Sequence, residues 1–181
     1  MSTIVMRDPL AEFLGAAEDG RLEYSYLDAV KLTGHSCPTV AGAYLATVEA
    51  LARLYPGEVP ERGAIRVELR GDLDEGVSGV LASVAGLITG AAGEGGFKGI
   101  AGRFARRGLL AFGAPIAADL RFTRVDTGQS VAIDLARAPA MDEDLTASLR
   151  RALSPQASVA ERDRFARAWQ GRVVAMFPGS A

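Results

Sequence analysis

The chain has 181 residues and 18.9 kDa, enough for one domain with a sizeable core, or a core with a small appendage. Hydrophobic residues make up 49% and charged residues 23%, a soluble globular profile that excludes a disordered chain. Twenty basic against 22 acidic side chains leave a formal charge of −2, so the basic field expected of a nucleic-acid binder is absent.

The first ten residues, MSTIVMRDPL, contain no apolar signal core, and one cysteine cannot form an intrachain disulfide. A reducing, bacterial-type cytoplasm is the expected setting. Residues 76–93 form an uncharged 18-residue run, near the lower limit for a membrane span. Its glycines, alanines and hydroxyl residues predict a tightly packed buried helix instead, and no membrane partner.

In chain order, Asp8 and Pro9 open a helix expected over 8–18 and ended by Gly20. Ser25 with Asp28 approaches a capping box for a helix from Tyr26 to Leu32. Pro38 suits the first turn of a long helix running to about Tyr55, which puts Cys37 at or beside its N-cap. Residues 64–70 alternate as a half-exposed strand, with Ile65, Val67 and Leu69 on one face. The acidic turn 72–76, the uncharged helix and a glycine-rich loop over 93–102 follow. Strands near 117–125 and 130–136 flank the turn Asp126-Thr127-Gly128-Gln129 as a hairpin. Helices near 142–153 and 158–176 complete the chain, capped by Asp142 and by a Ser158/Glu161 box.

Two helices carry ridges of small residues, Gly42, Ala46 and Ala50 on one and Gly79, Ser83, Gly86 and Gly90 on the other. Such ridges let helix axes approach closely, within a core or across a dimer seam. Val80, Val84, Leu87 and Ile88 are expected to face a sheet or a second copy of the chain.

His35-Ser36-Cys37-Pro38 is the strongest local candidate site, because it joins the sole histidine to the sole cysteine. Imidazole and thiolate are donors that suit zinc, and also iron, nickel or copper(I). A helix N-terminus favours the thiolate through its free amides and positive dipole end. The competing reading is a buried cysteine and a hydrogen-bonded histidine serving the core. Two side chains do not complete a tetrahedral site, so carboxylates, water, substrate or another protomer must supply the rest. Asp74 and Glu75 are candidates, although an acidic helix start also explains them.

The loop from Gly93 to Gly99 is the second candidate, with Glu94 and with Lys98, one of only two lysines. Clustered glycines permit close backbone approach, and a lysine can meet an anion. The loop lacks the ending of a phosphate-binding P-loop. Arg103, Arg106 and Arg107 read as a solvated helix face.

Gly34-His35-Ser36-Cys37-Pro38, opening a small-residue helix, resembles the Gly-His-x-Cys-Pro motif of the formylmethanofuran dehydrogenase E-subunit family. Asp74-Glu75-Gly76-Val77, the helix ending Thr89-Gly90, and Phe97-Lys98-Gly99 follow in the family's order, so the resemblance spans about residues 25–112. It implies an α+β fold, a bound metal, zinc by expectation, and a homodimer. His35 and Cys37 match the metal-associated pair and Lys98 the loop lysine. Glu75 and Ala91 stand where family cysteines are common, which implies a site poorer in sulfur that relies on a carboxylate or water.

The sequence therefore predicts an α+β fold, with a mixed or antiparallel sheet and a β-hairpin packed against small-residue-rich helices. Residues 1–138 form the core and 139–181 a helical extension of the same domain. The expected function is metal binding by His35, Cys37 and Glu75, with Lys98 and Glu94 near a small anionic ligand. The rivals are a non-catalytic accessory protein with a structural metal, and a metal-independent thiol enzyme using Cys37 and His35.

Overall fold

The computed structural model describes residues 3–179. The chain opens with β1 (Ile4–Arg7), whose alternate residues Ile4 and Met6 are buried, and enters α1 (Pro9–Phe13). Asp8 is the N-cap of α1 and accepts the amides of Leu10 and Ala11. This helix stops well short of the expected residue 18. Gly15 takes a left-handed φ of 68°, and a 3-10 turn over Glu18–Gly20 brings β2 (Arg21–Tyr24) back antiparallel to β1. The sequence pattern does not reveal this pair, since four-residue strands with a helix between them leave almost no alternation to read.

α2 (Tyr26–Thr33) starts with the expected Ser25/Asp28 capping box and ends at Gly34. α3 (Pro38–Leu54) starts at Pro38, with Cys37 as its N-cap. Then come β3 (Ile65–Leu69), α4 (Ser78–Thr89), the short β4 (Leu110–Ala111), β5 (Leu120–Arg124) and β6 (Ser130–Ile133). α5 (Glu143–Ala152) and α6 (Val159–Val174) carry the caps expected at Asp142 and Ser158.

The architecture is α+β. A four-stranded mixed sheet has the order β4-β3-β5-β6, parallel between β3 and β4 and antiparallel elsewhere. Leu69 stands opposite Leu120, and Leu120 opposite Ile133, so alternation places Ile65, Val67, Leu69, Leu120, Phe122 and Ile133 on one buried face. α3 and α4 lie against that face and against each other, and α2 leans on both helices. On the other face Arg121 donates both Nε and Nη2 to the Glu68 carboxylate, at 2.8 and 2.6 Å.

The small-residue ridges have different fates. Gly42, Ala46 and Ala50 of α3 are all buried, whereas Gly79 and Ser83 of α4 are exposed and Gly86 is half-buried. The core-facing residues of α4 are Leu81, Ala82, Val84, Ala85 and Ile88. Its small ridge looks outward into a shallow groove with Leu32, Leu73, Leu87 and Phe112.

α6 returns to the core. Val173 and Phe177 are buried, and the Phe177 ring lies 4.9 Å from Tyr26 and 6.5 Å from Tyr44. No helix among the described residues is long and apolar enough to cross a membrane.

Candidate functional site

The segment between α2 and α3 is clasped from above by α6. Trp169 Nε1 and Gln170 Nε2 both donate to the Ser36 carbonyl, at 3.0 and 3.3 Å. The Ser36 hydroxyl donates to Gln170 Oε1 at 2.9 Å, which leaves it to accept from the Tyr26 hydroxyl, also at 2.9 Å. Burial raises the Tyr26 phenol pKa against the opposing pull of the Ser36 hydrogen bond. Side chains from α2 and α6 thus fix Ser36, and with it the start of α3.

His35 is exposed on this loop, with Nδ1 2.9 Å from the Thr33 carbonyl. A carbonyl can only accept, so in the neutral ring Nδ1 carries the proton and Nε2 keeps the lone pair. Cys37 is half-buried and packs against the core, and its side chain makes no capping hydrogen bond. These two residues are neighbours, as their spacing requires. They are not joined by a third donor. Among the described residues, no group of three or more His, Cys, Asp or Glu side chains could hold a metal ion. A closed four-ligand zinc site therefore does not fit this chain's own described residues.

Glu75 is exposed, and its Oε2 accepts the Asp72 amide at 3.1 Å, which closes the acidic turn before α4. Lys98 is exposed on the 93–109 loop and has no hydrogen-bond or ion-pair partner among the described residues. Glu94 is exposed and pairs with Arg107 at 2.7 and 3.0 Å. Neither Lys98 nor Glu94 lines the cleft that Glu75 lines.

What the fold does assemble is a cleft of about 410 Å³ at the end of β3. The first turn of α3 (Pro38, Thr39, Gly42) forms one wall, and Glu75 to Ser78 with Leu81 form the other. Leu135 to Ala138 and Arg172 close the far side. Gly42 suits this place, because a Cβ there would stand 3.1 Å from the Ala136 carbonyl and press that backbone outward by a few tenths of an ångström. Its absence lets the segment after β6 run tight over α3.

Charges in the cleft are unevenly paired. Arg70 is neutralised by Asp119, whose other oxygen accepts the Leu135 amide at 3.0 Å. Arg137 and Arg172 have no carboxylate partner among the described residues. Arg172 donates Nη2 to the Pro139 carbonyl and lies 5.4 Å from the Trp169 ring, while its Nε is buried without a partner. Ser78, at the first position of α4, is 6% exposed and lines the cleft, and its hydroxyl makes no hydrogen bond among the described residues. The hydroxyl oxygen is not fully enclosed, so the cleft leaves it open to donate to a bound molecule.

Sequence reasoning reaches the two helix starts and Glu75 but misses Ser78 and Arg172. Arg172 lies far along the chain and carries no local motif. The chain's single tryptophan, three residues before it, is the one available signal.

The basic cluster departs from expectation. Residues 91–109 are not helical, and Arg106 is buried rather than solvated, pairing with Asp8. Only Arg103 and Arg107 of that cluster are exposed. Comparison with protein-family models, with curated proteins and with solved structures finds no match to this chain.

Proposed function

We propose that the chain binds a small organic carboxylate in the cleft between the starts of α3 and α4. The observation that carries the reading is the Ser78 hydroxyl, which has no partner among the described residues and lines the same cleft as Arg172, a guanidinium with no carboxylate partner among them. The guanidinium supplies charge, the hydroxyl and the free amides of the α3 first turn supply donors, and Leu69, Val77, Leu81 and Leu135 supply apolar wall. A ligand with an acid group on a compact apolar body matches this mixture better than a bare inorganic anion.

The test is thermal unfolding with a series of carboxylates from acetate to benzoate. A ligand bound only by the folded state raises stability by about 2.7 kcal/mol at a hundredfold excess over Kd. The expected result is a rise in Tm that grows with the apolar body and is lost in Arg172→Gln. Equal midpoints throughout the series would defeat the proposal.

A metal at His35 and Cys37 is a second reading, and one observation favours it. The Nδ1 proton held by the Thr33 carbonyl leaves Nε2 as a ligand, the arrangement common around metal-bound histidines. Two donors from one chain need the remainder from a bound molecule or a second copy, so the reading joins the expected homodimer. The outward ridge of Gly79, Ser83 and Gly86 offers that copy a close helix approach. The resemblance to the formylmethanofuran dehydrogenase E-subunit family supports the same view. Elemental analysis of protein purified without chelators, with light scattering for mass, tests both parts. One metal per chain, lost in His35→Ala and Cys37→Ser, supports it, whereas metal-free folded monomer ends it.

A further inference from the structure

A second charged cavity lies away from the cleft, where three residues distant in sequence meet. Asp8 is 3% exposed and Arg106 7%. Asp8 Oδ2 accepts Arg62 Nη1 at 2.8 Å, and Oδ1 accepts Arg106 Nη2 at 2.6 Å. The same Oδ1 also caps α1 through the Leu10 and Ala11 amides. One carboxylate thus serves two guanidinium groups, and the centre keeps one positive charge unbalanced. Arg62 Nε and Arg106 Nη1 are buried with no partner. A Cβ at Gly63 or Gly90 would collide with the Arg106 guanidinium, so two glycines make room for a group that the fold leaves underbonded.

Beside this centre is a cavity of about 460 Å³ whose lining includes Arg7, Arg62, Arg103 and Arg106 against a single carboxylate, Glu61. Arg7 is already shared between Glu12 and Glu61. Arg103 has no carboxylate partner among the described residues, and its guanidinium lies 4.7 Å over the Phe104 ring. The backbone of this wall is strained. Ala101 and Phe104 adopt φ of 48° and 63°, left-handed values that non-glycine residues rarely take. Such conformations persist where the surroundings enforce them, and ligand clamps are a common setting. Here the Phe104 ring is held against Phe13, with ring centres 5.4 Å apart.

We infer that this arginine-lined cavity is a binding site for a phosphate group, free or carried by a small phosphorylated molecule. Guanidinium groups dominate the lining, unlike that of the mixed cleft, and they are suited to tetrahedral oxyanions through paired N–H donors. Arg7, Arg62, Arg103 and Arg106 against Asp8, Glu12 and Glu61 leave one positive charge, which a phosphate would take up while giving Arg103 its missing counter-charge. Arg103 is exposed, so its removal does not threaten the core.

The test titrates inorganic phosphate and, separately, phenyl phosphate into the full chain, followed by backbone amide NMR shifts. Saturable shifts at Gly63, Ala105 and Arg106, weakening with added salt, are expected. Arg103→Gln should weaken binding by roughly tenfold or more, the loss of one charge-assisted contact, while the distant Arg150→Gln leaves it unchanged. Tighter binding of the ester assigns a phosphorylated small molecule, and binding of orthophosphate at least as tight assigns the free ion. The inference is overturned if neither probe shifts these amides, if shifts are confined to the cleft residues 38–42 and 75–81, or if Arg103→Gln binds as the wild type does.

Discussion

Arg172 at the cleft and Arg106 at the Asp8 centre both hold buried guanidinium nitrogens without a partner, yet the fold holds the two side chains differently. Arg172 comes from one exposed helix, reaches a backbone carbonyl and rests near Trp169. Arg106 is buried and shares Asp8 with Arg62, so that one carboxylate ties the first helix cap to segments 54 and 98 residues away. The cleft keeps donors unpaired at a mouth that a ligand can enter. At the Asp8 centre, the carboxylate joins the two-stranded sheet to the 91–109 loop, and only the positive charge left over, with Arg103, is offered to a ligand. A charge that assembles the fold and a charge that awaits a ligand respond differently to removal, and this contrast is open to experiment.

The largest effect is expected at Asp8. Asp8→Ala strands two guanidinium groups without their carboxylate, and loss of one partner from a buried pair costs about 3–5 kcal/mol. Urea unfolding should show a lower midpoint at unchanged slope, and a loss below about 1 kcal/mol would break the contrast.

Acid titration sharpens it. Burial alone would raise the Asp8 pKa, but the hydrogen bonds from Arg62 and the Ala11 amide, with the charges of Arg106 and Arg62, hold it below the usual carboxylate value. A depressed folded pKa gives stability that is fully present above the unfolded value of about 3.9 and is lost as pH falls through the folded value. Unfolding free energy should therefore fall more between pH 6 and pH 3 in the wild type than in Asp8→Asn. Parallel curves would contradict the assignment.

Smaller still, Trp169→Phe removes one hydrogen bond to the Ser36 carbonyl and should cost about 1 kcal/mol by the same urea assay. Ser78→Ala should change stability by less than about 0.5 kcal/mol, since its hydroxyl has no partner among the described residues to lose. A large loss there would mean that the hydroxyl is structural.

Local signals in the sequence are legible where the chemistry is local. Capping boxes at Ser25 and Ser158, the proline at the start of α3 and the alternation of Ile65, Val67 and Leu69 each depend on residues a few positions apart, and each element forms where the pattern stands. The β1–β2 pair does not announce itself, because its register depends on tertiary closure around Gly15 and Gly20. The same limit governs the sites. His35 and Cys37 can be found because they are neighbours, and the start of α3 does open onto the cleft through Pro38 and Thr39. Lys98 and Glu94 draw notice through glycine-rich surroundings, yet it is Arg103 and Arg106 of that loop that reach a cavity. Nothing local distinguishes Arg106 from its exposed neighbour Arg107. Only the partner at position 8 does.

The most direct test of the cleft uses its own reporter. Trp169 is the sole tryptophan, and its ring lies 5.4 Å from the Arg172 guanidinium, so its fluorescence is a probe of anything that engages Arg172. Benzoate titrated into the wild type and into Arg172→Gln should give a saturable change in the first and binding weaker by about tenfold or more in the second. An identical response in both proteins, or none in either, would contradict the claim that the cleft takes a carboxylate on Arg172.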